Sequence, residues 1–272
     1  MKTTLPQTPV TEINSADGTA ISTERIGTGP ALVLVDGAFC GRSFGPARAL
    51  ATKLADSFSV YFYDRRGRGD SGDTAPYSVE REVEDLAAVI AHAGGHAFVY
   101  GISSGAALAL EAAAAGIPMR KLATYEVPYT GEEDPRGVPI DHAAHLNALL
   151  AGNKRGAMVS YFLVKMIGVP AFVPIMLHFM PKIWSSQKAA ANTLPNEIAV
   201  SNNFTAPLDR LATITAPTLV MVGGKAAPAM AAAQAAIGEA IPHAIRQTLE
   251  GQTHQVSDTA MAAELRSFFA TA

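Results

Sequence analysis

Cysteine occurs once, at Cys40, in a chain of 272 residues. A lone thiol can form no intrachain disulfide and no cysteine-based metal cluster, and it fits a reducing compartment. Charge is sparse as well: Asp, Glu, Lys and Arg together make 17% of the chain, the formal net charge is -3, and no run of Lys or Arg occurs. Such a balance offers no electrostatic footprint to a phosphate backbone, so nucleic acid is not an expected partner. Long apolar runs are missing too. No stretch reaches the roughly 18 continuous apolar residues of a membrane span. The opening residues MKTTLPQTPVTEINSADGTA lack the apolar centre of a secretory leader. The expectation is a soluble, cytoplasmic protein with no membrane partner and no disclosed oligomeric state.

Against these absences stands a hydrophobic content of 49%, enough for one large buried core. Short β-rich runs alternate with helical patterns after about residue 30, the signature of a parallel sheet built from βαβ units. ALVLVDG (31–37) and SVYFYD (59–64) are continuous apolar runs, as expected for strands covered on both faces. AFVYG, KLATYEV and TLVMVGG extend the series, and two earlier runs near Val10 to Asn14 and Ile21 to Ile26 read as a hairpin. Between strands, Val79, Val83, Leu86 and Ile90 share one helical face, with Glu80, Glu84 and Asp85 expected to face out. Met261, Leu265 and Phe268 repeat the pattern in a final helix.

One region breaks the alternation. From Tyr129 to Asp209 no strand pattern occurs, only helical apolar segments such as MVSYFLVKMIGV and FVPIMLHFM, cut by Pro170, Pro174 and Pro181. The reading is an α/β chain with a doubly wound, mostly parallel sheet, its core in residues 1–128 and 210–272, and an inserted helical lid at 129–209. The lid aromatics Tyr161, Phe162, Phe172, Phe179 and Trp184 divide between lid core and pocket lining; Tyr161, Phe162 and Trp184, with Phe39 from the sheet, are the expected substrate contacts.

Gly101-Ile102-Ser103-Ser104-Gly105 satisfies G-x-S-x-G, in which small flanking residues let a strand turn sharply into a helix so that the serine hydroxyl projects above the sheet. The apolar strand before it and the small-residue run GAALALEAAAA after it suit that geometry. A serine hydroxyl needs a base, and histidine titrates near working pH. Of seven histidines, His92, His96 and His243 fall at the N-terminal ends of strands, and His178 reads as packing. His142 and His145 are spaced like a metal pair but have no apparent third ligand. His254, in LEGQTHQV, lies on a loop after the last strand, at the sheet edge where open α/β sheets bind ligands.

These residues resemble the α/β-hydrolase fold enzymes, serine esterases and lipases among them. YDRRGRGDSG is similar to that family's D-x-R-G-x-G-x-S segment at Asp64, Arg66, Gly67, Gly69 and Ser71, and GQTH to its terminal G-x-x-H. The same stretch also fits G-x-G-x-x-G over Gly67 to Gly72. A dinucleotide site is rejected because six residues including Pro76 separate it from the next helix. In most of the family the third triad member is an Asp after the strand that here reads TLVMVGGK, and GGKAAPAM contains no carboxylate. The haloalkane dehalogenase branch places its acid after the preceding strand, which implies Glu126 here; Asp36 is the other candidate. The resemblance also implies an oxyanion hole from the N–H groups of Ala38 and Ser104.

The implied activity is hydrolysis of an ester, thioester or lactone of a medium-sized apolar small molecule by Ser103, His254 and Glu126, with no cofactor and no metal. A cofactor-free perhydrolase would use the same residues. A biosynthetic catalyst of cyclisation or elimination, or a ligand-binding protein on the same fold, remains open because Asp36 and Ile102 stand where His is common in the family. Cys40 and Arg42 are near enough in sequence to line the pocket, with a structural role expected for each.

Overall fold

The computed structural model describes residues 8–131 and 141–270; the first seven residues, the last two and 132–140 of the expected lid lie outside them. Eight strands form one sheet: β1 (Thr11–Asn14), β2 (Ala20–Ile26), β3 (Ala31–Val35), β4 (Ser59–Tyr63), β5 (Ala97–Ile102), β6 (Met119–Tyr125), β7 (Thr218–Gly223) and β8 (Ile245–Leu249). Their order is β1-β2-β4-β3-β5-β6-β7-β8. The hairpin β1–β2 and the β2–β4 pair are antiparallel, and every pairing from β4 through β3 to β8 is parallel.

The helices follow from what each strand must bury. Helices α1 (Ala47–Leu54), α2 (Val79–His92) and α3 (Ser104–Ala114) alternate with the early strands. Between β6 and β7 come α4 (His142–Ala151), α5 (Arg155–Tyr161), a π-helical stretch over Phe162–Met166, then α6 (Phe172–His178), α7 (Pro181–Ala190), α8 (Leu194–Val200) and α9 (Leu208–Leu211). Helix α10 (Pro228–Ala240) joins β7 to β8, and α11 (Asp258–Ala270) ends the described chain. Side-chain alternation along the strands makes two cores. Val33, Val35, Tyr61 and Val99 point toward α2, α3 and α10, while Leu32, Leu34, Phe62, Phe98 and Tyr100 point toward α1 and α11. A third cluster, built from Leu146, Met158, Val159, Trp184, Leu194 and Ile198, lies within the helices that follow β6 and takes in Phe39 from the loop after β3. None of the helices is long and apolar enough, among the described residues, to cross a membrane.

Local chemistry sets the boundaries. Ser78 caps α2, its hydroxyl accepting the Arg81 N–H at 3.3 Å, with Glu80 and Glu82 in the first turn against the positive end of the helix dipole. Pro174, expected to interrupt its segment, instead sits in the first turn of α6, where its missing N–H has no intrahelical partner to lose. Asp85 departs from the helical-wheel reading more sharply. It is 0% exposed, because Arg66 reaches it with two donors at 2.6 and 2.7 Å. A bidentate guanidinium compensates the desolvation that would otherwise push a charged residue outward.

The strand order reverses on either side of β3, since β4 follows it on one side and β5 on the other. That switch point opens a crevice beyond the carboxyl ends of β3 and β5. Two close approaches build it. A Cβ on Gly101 would lie 2.6 Å from Ala106 Cα, and one on Gly105 would lie 2.5 Å from the Asp36 carbonyl oxygen, with the Val35 carbonyl oxygen nearer still. Helix propensity alone would have Gly105→Ala stabilise α3 by about 1 kcal/mol. Backbone atoms that cannot move aside reverse the sign, and the substitution should cost about 2 to 4 kcal/mol or prevent folding, measured by urea unfolding; a variant as stable as the parent would contradict the close packing of α3 on β3.

Candidate active site

Ser103 occupies the turn between β5 and α3 with φ 57° and ψ -131°, a conformation L-residues rarely adopt. The strain is held from both sides. Ser103 N–H donates to the Tyr125 carbonyl of the neighbouring strand at 2.9 Å, and its own carbonyl accepts from the N–H groups of Ala106 and Ala107 at 2.9 and 3.2 Å. Gly37 fits against this turn, for a Cβ there would lie 2.9 Å from Ser103 Cβ. Small residues on both sides therefore leave the hydroxyl standing clear of its own backbone.

Glu126 follows β6 and also takes a left-handed conformation, φ 47°. The turn swings its carboxylate toward β7 and the loop after β8. Oε1 accepts the Gly223 N–H at 3.0 Å, and Oε2 lies 2.7 Å from His254 Nδ1. Glu126 is 2% exposed, whereas the His254 side chain remains 47% exposed. With a carboxylate on Nδ1, that nitrogen carries the proton and Nε2 is the basic one. The histidine loop is tied down by Tyr125, whose hydroxyl donates to the Thr253 carbonyl at 2.6 Å. Gly223 is required where this hydroxyl passes, since a Cβ there would lie 2.7 Å from it. Ser103 and His254 line the same two cavities, and their side chains share no hydrogen bond.

The DRRGRG segment supports the opposite wall. Arg68 Nη1 donates to the carbonyls of Gly37 at 2.7 Å and Cys40 at 3.1 Å, and Arg65 Nη1 to that of Asp36 at 3.3 Å. A trans peptide sets its N–H opposite its carbonyl, so the bond from Arg68 to Gly37 turns the Ala38 N–H the other way. Among the described residues no hydrogen bond is made to the N–H of Ala38 or of Ser104. Both arginines are compensated by buried carboxylates: Glu82 and Glu197 beside Arg65, and Glu197 beside Arg68. Arg65 and Arg68 together hold the Glu197 carboxyl below the usual carboxylate range against its burial. Arg42 takes no part in the pocket lining and instead joins Glu24, Asp64 and Asp70.

Two cavities of about 430 and 540 Å3 meet at Ser103 and His254. The smaller runs past Asp36, Phe39, Cys40, Leu50, Tyr100 and Met261. The larger runs past Glu126, Glu197, Ser201, Phe204, Lys225 and Met230. Phe162 borders both and Phe39 the smaller, in edge-to-face contact at 5.2 Å. Tyr161 and Trp184, expected to touch substrate, line neither. Tyr161 lies 2.8 Å by its hydroxyl from His142 Nδ1 and stacks on His145, and Trp184 packs on His178 within the third core cluster. Periodicity shows that an aromatic is buried and not which neighbour buries it. Asp36 makes no bond to His254. Its carboxyl is 7% exposed, and burial pushes it up to about 7 against the lowering pull of the Ala47 backbone N–H, Arg68 and Arg65. Burial likewise pushes the Cys40 thiol up to about 12. Among the described residues no cluster of three or more His, Cys, Asp or Glu is spaced to hold a metal ion.

Sequence reasoning missed Tyr125, Gly223, Arg65, Arg68 and Glu197. The arginines stand within DRRGRG, but their partner Glu197 is 129 residues from Arg68, a separation without periodic signal.

Comparison with known proteins agrees with this architecture. Residues 32–265 match the alpha/beta hydrolase family. An alpha/beta hydrolase from Sphaerobacter thermophilus DSM 20745 is 47% identical in sequence and superimposes with a TM-score of 0.87 over 96% of this chain and 100% of its own. The pimeloyl-[acyl-carrier protein] methyl ester esterase of Xanthomonas campestris pv. campestris (strain B100) is 29% identical over 234 residues, 84% of this chain and 89% of its own. An enol-lactonase from Burkholderia xenovorans LB400 shares the fold at 19% identity, with a TM-score of 0.67 over 97% of this chain and 100% of its own. The chain belongs to the alpha/beta hydrolase family and is a hydrolase.

Proposed function

We propose that the protein hydrolyses the ester, thioester or lactone bond of a medium-sized, largely apolar molecule through an acyl-enzyme on Ser103. The observation that carries this reading is the Glu126–His254 contact of 2.7 Å, made at the mouth of cavities that the strained Ser103 also lines. The esterase named in Xanthomonas campestris and the lactonase named in Burkholderia xenovorans act within the same chemical class.

In the first half-reaction Ser103 Oγ attacks the substrate carbonyl carbon while His254 Nε2 takes the hydroxyl proton. Glu126 keeps the proton on Nδ1 and stabilises the imidazolium as it forms. The carbonyl oxygen becomes an oxyanion, received by the N–H groups of Ala38 and Ser104; Arg68 fixes the first by gripping the Gly37 carbonyl. The tetrahedral intermediate collapses as Nε2 returns its proton to the leaving oxygen or sulfur. A water molecule then gives its proton to Nε2 and attacks the acyl carbon, and a second collapse restores the Ser103 hydroxyl and releases the acid. Small-alcohol and ring-opened products follow from the same two steps. The hydroxyl and the imidazole close to bonding distance when substrate displaces solvent, as apo sites of this kind commonly do.

Ser103→Ala should lower kcat/KM on a short p-nitrophenyl ester by on the order of 10^4 or more and abolish labelling by a fluorophosphonate; labelling at the parent rate would place the nucleophile elsewhere. Glu126→Gln keeps the shape of the contact and loses the charge that selects the tautomer, so kcat should fall by on the order of 10^3 to 10^4 with KM nearly unchanged. Near-parental kcat in the Glu126→Gln variant would remove Glu126 from the triad.

A further inference from the structure

The smaller cavity descends from Ser103 along the sheet face that α1 and α11 cover, where Leu34 pairs with Tyr100 across β3 and β5. Its wall is apolar at Leu34, Leu50, Val256 and Met261. Two buried polar groups interrupt it, and acyl transfer at Ser103 uses neither. Asp36 is 7% exposed and Tyr100 3% exposed, yet Asp36 Oδ2 and Tyr100 Oη have no hydrogen-bond partner among the described residues. Native interiors rarely leave such atoms unpaired, because each loses its hydration without a replacement. Here both orphans belong to residues that line one cavity opening on Ser103; the two atoms themselves are covered, so a ligand group supplies the missing partner by parting the side chains over them.

The chemistry of the two groups defines that partner. Burial holds the Tyr100 hydroxyl well above its usual pKa, so it is a neutral donor. Burial also keeps the Asp36 proton in place up to about pH 7, making it a second donor beneath neutrality. No Lys or Arg lines this cavity, so it contains no counter-ion for an anionic arm. The other carboxylate in the lining is Asp258, partly exposed near the rim with Gln255; a negative charge there disfavours an anionic arm further, so two donors in a largely apolar channel match a neutral acceptor oxygen. Position along the backbone sets the scale of the reach: Tyr100 lies on β5 three residues before Ser103, about 10 Å of chain at the extended rise, so an arm of roughly seven bonds is the length to test.

We propose that this cavity is a specificity subsite for a substrate arm carrying a neutral acceptor oxygen, a ketone or a hydroxyl about six carbons from the reacting carbonyl, bound by donation from Asp36 and Tyr100. The assignment rests on the acyl-transfer reading of Ser103 for which end of the arm reacts. It does not rest on that reading for binding itself. Cys40, beside Asp36, is a neutral thiol in this wall and adds no competing charge.

The test compares esters that differ by one oxygen: 4-nitrophenyl 6-oxoheptanoate against 4-nitrophenyl heptanoate for the acyl arm, and 6-oxoheptyl acetate against heptyl acetate for the alcohol arm. The expected result is at least a tenfold higher kcat/KM for the ketone in one of the two pairs. Tyr100→Phe and Asp36→Leu should each bring that ratio toward one, and Asp36→Asn, which keeps a donor, should retain most of it. The ratio cancels any general loss of turnover, and Tyr100→Phe removes a single atom, so a folded variant is available even if Asp36→Leu is not. A ratio near one in both pairs overturns the proposal, as does a ratio that survives intact in Tyr100→Phe or in a folded Asp36→Leu protein. Preference for a 6-aminohexanoate ester, lost in Asp36→Asn, overturns it in favour of a cation site. Calorimetric binding of 6-oxoheptanamide and heptanamide to the Ser103→Ala protein separates this proposal from the catalytic one. Tighter binding of the ketone supports the subsite even if esters are not turned over, and equal binding rejects it even if they are.

Discussion

A carboxylate shared between two distant pieces of chain organises this molecule. Glu126 accepts a backbone N–H from the end of β7 and meets the imidazole of His254, 128 residues later in the sequence. Neither contact would exist without the left-handed turn at Glu126, and that turn is tolerated only because β6 is locked between β5 and β7. The same strand end contributes the Tyr125 carbonyl that steadies Ser103 and the Tyr125 hydroxyl that steadies the histidine loop. One two-residue segment therefore meets Ser103, Gly223, Thr253 and His254 together. Rigid strands set the positions, and loops of fixed geometry deliver the chemistry, which is the division of labour that lets a site be precise without being buried.

The opposite wall is built on a different principle. Arg65 and Arg68 are buried cations whose charge is balanced by Glu82 and Glu197 and whose remaining donors grip the carbonyls of Asp36, Gly37 and Cys40. Such a cluster is weak evidence for stability, since charges of this kind offset little more than their own desolvation. Its effect is geometric. Each grip on a carbonyl fixes the orientation of the next N–H, so long-range ion pairs become a local arrangement of backbone dipoles.

Much of the fold was legible because its signals are local. Apolar runs gave the central strands, and the alternation of runs with helical patterns gave the parallel sheet. Ser103 announced itself by two glycines, each of which the packing requires, and His254 by its place after the last strand. Glu126 was legible only through likeness to a branch of a known family; nothing in LATYEVPY by itself distinguishes a buried acid from an exposed one. Asp85 shows the limit of the helical wheel, which assigns a charge to solvent and cannot see an arginine arriving from a loop 19 residues away. Tyr161 and Trp184 show the matching limit for aromatics, whose spacing is the same whether they face a cavity or another ring.

Glu197 has one more effect on how the molecule works. It lies on α8, among the helices between β6 and β7, yet among the described residues its ion-pair partners are Arg65 and Arg68, rooted in the loop after β4. Lifting that end of the helical segment would strand Glu197 and Arg68 in a medium of low dielectric and leave Arg65 to Glu82 alone, a separation that buried charges resist. The segment is thus anchored at its base, while farther out, beyond Phe162–Met166 and along α6, Ile167, Phe172, Ile175 and Phe179 are exposed.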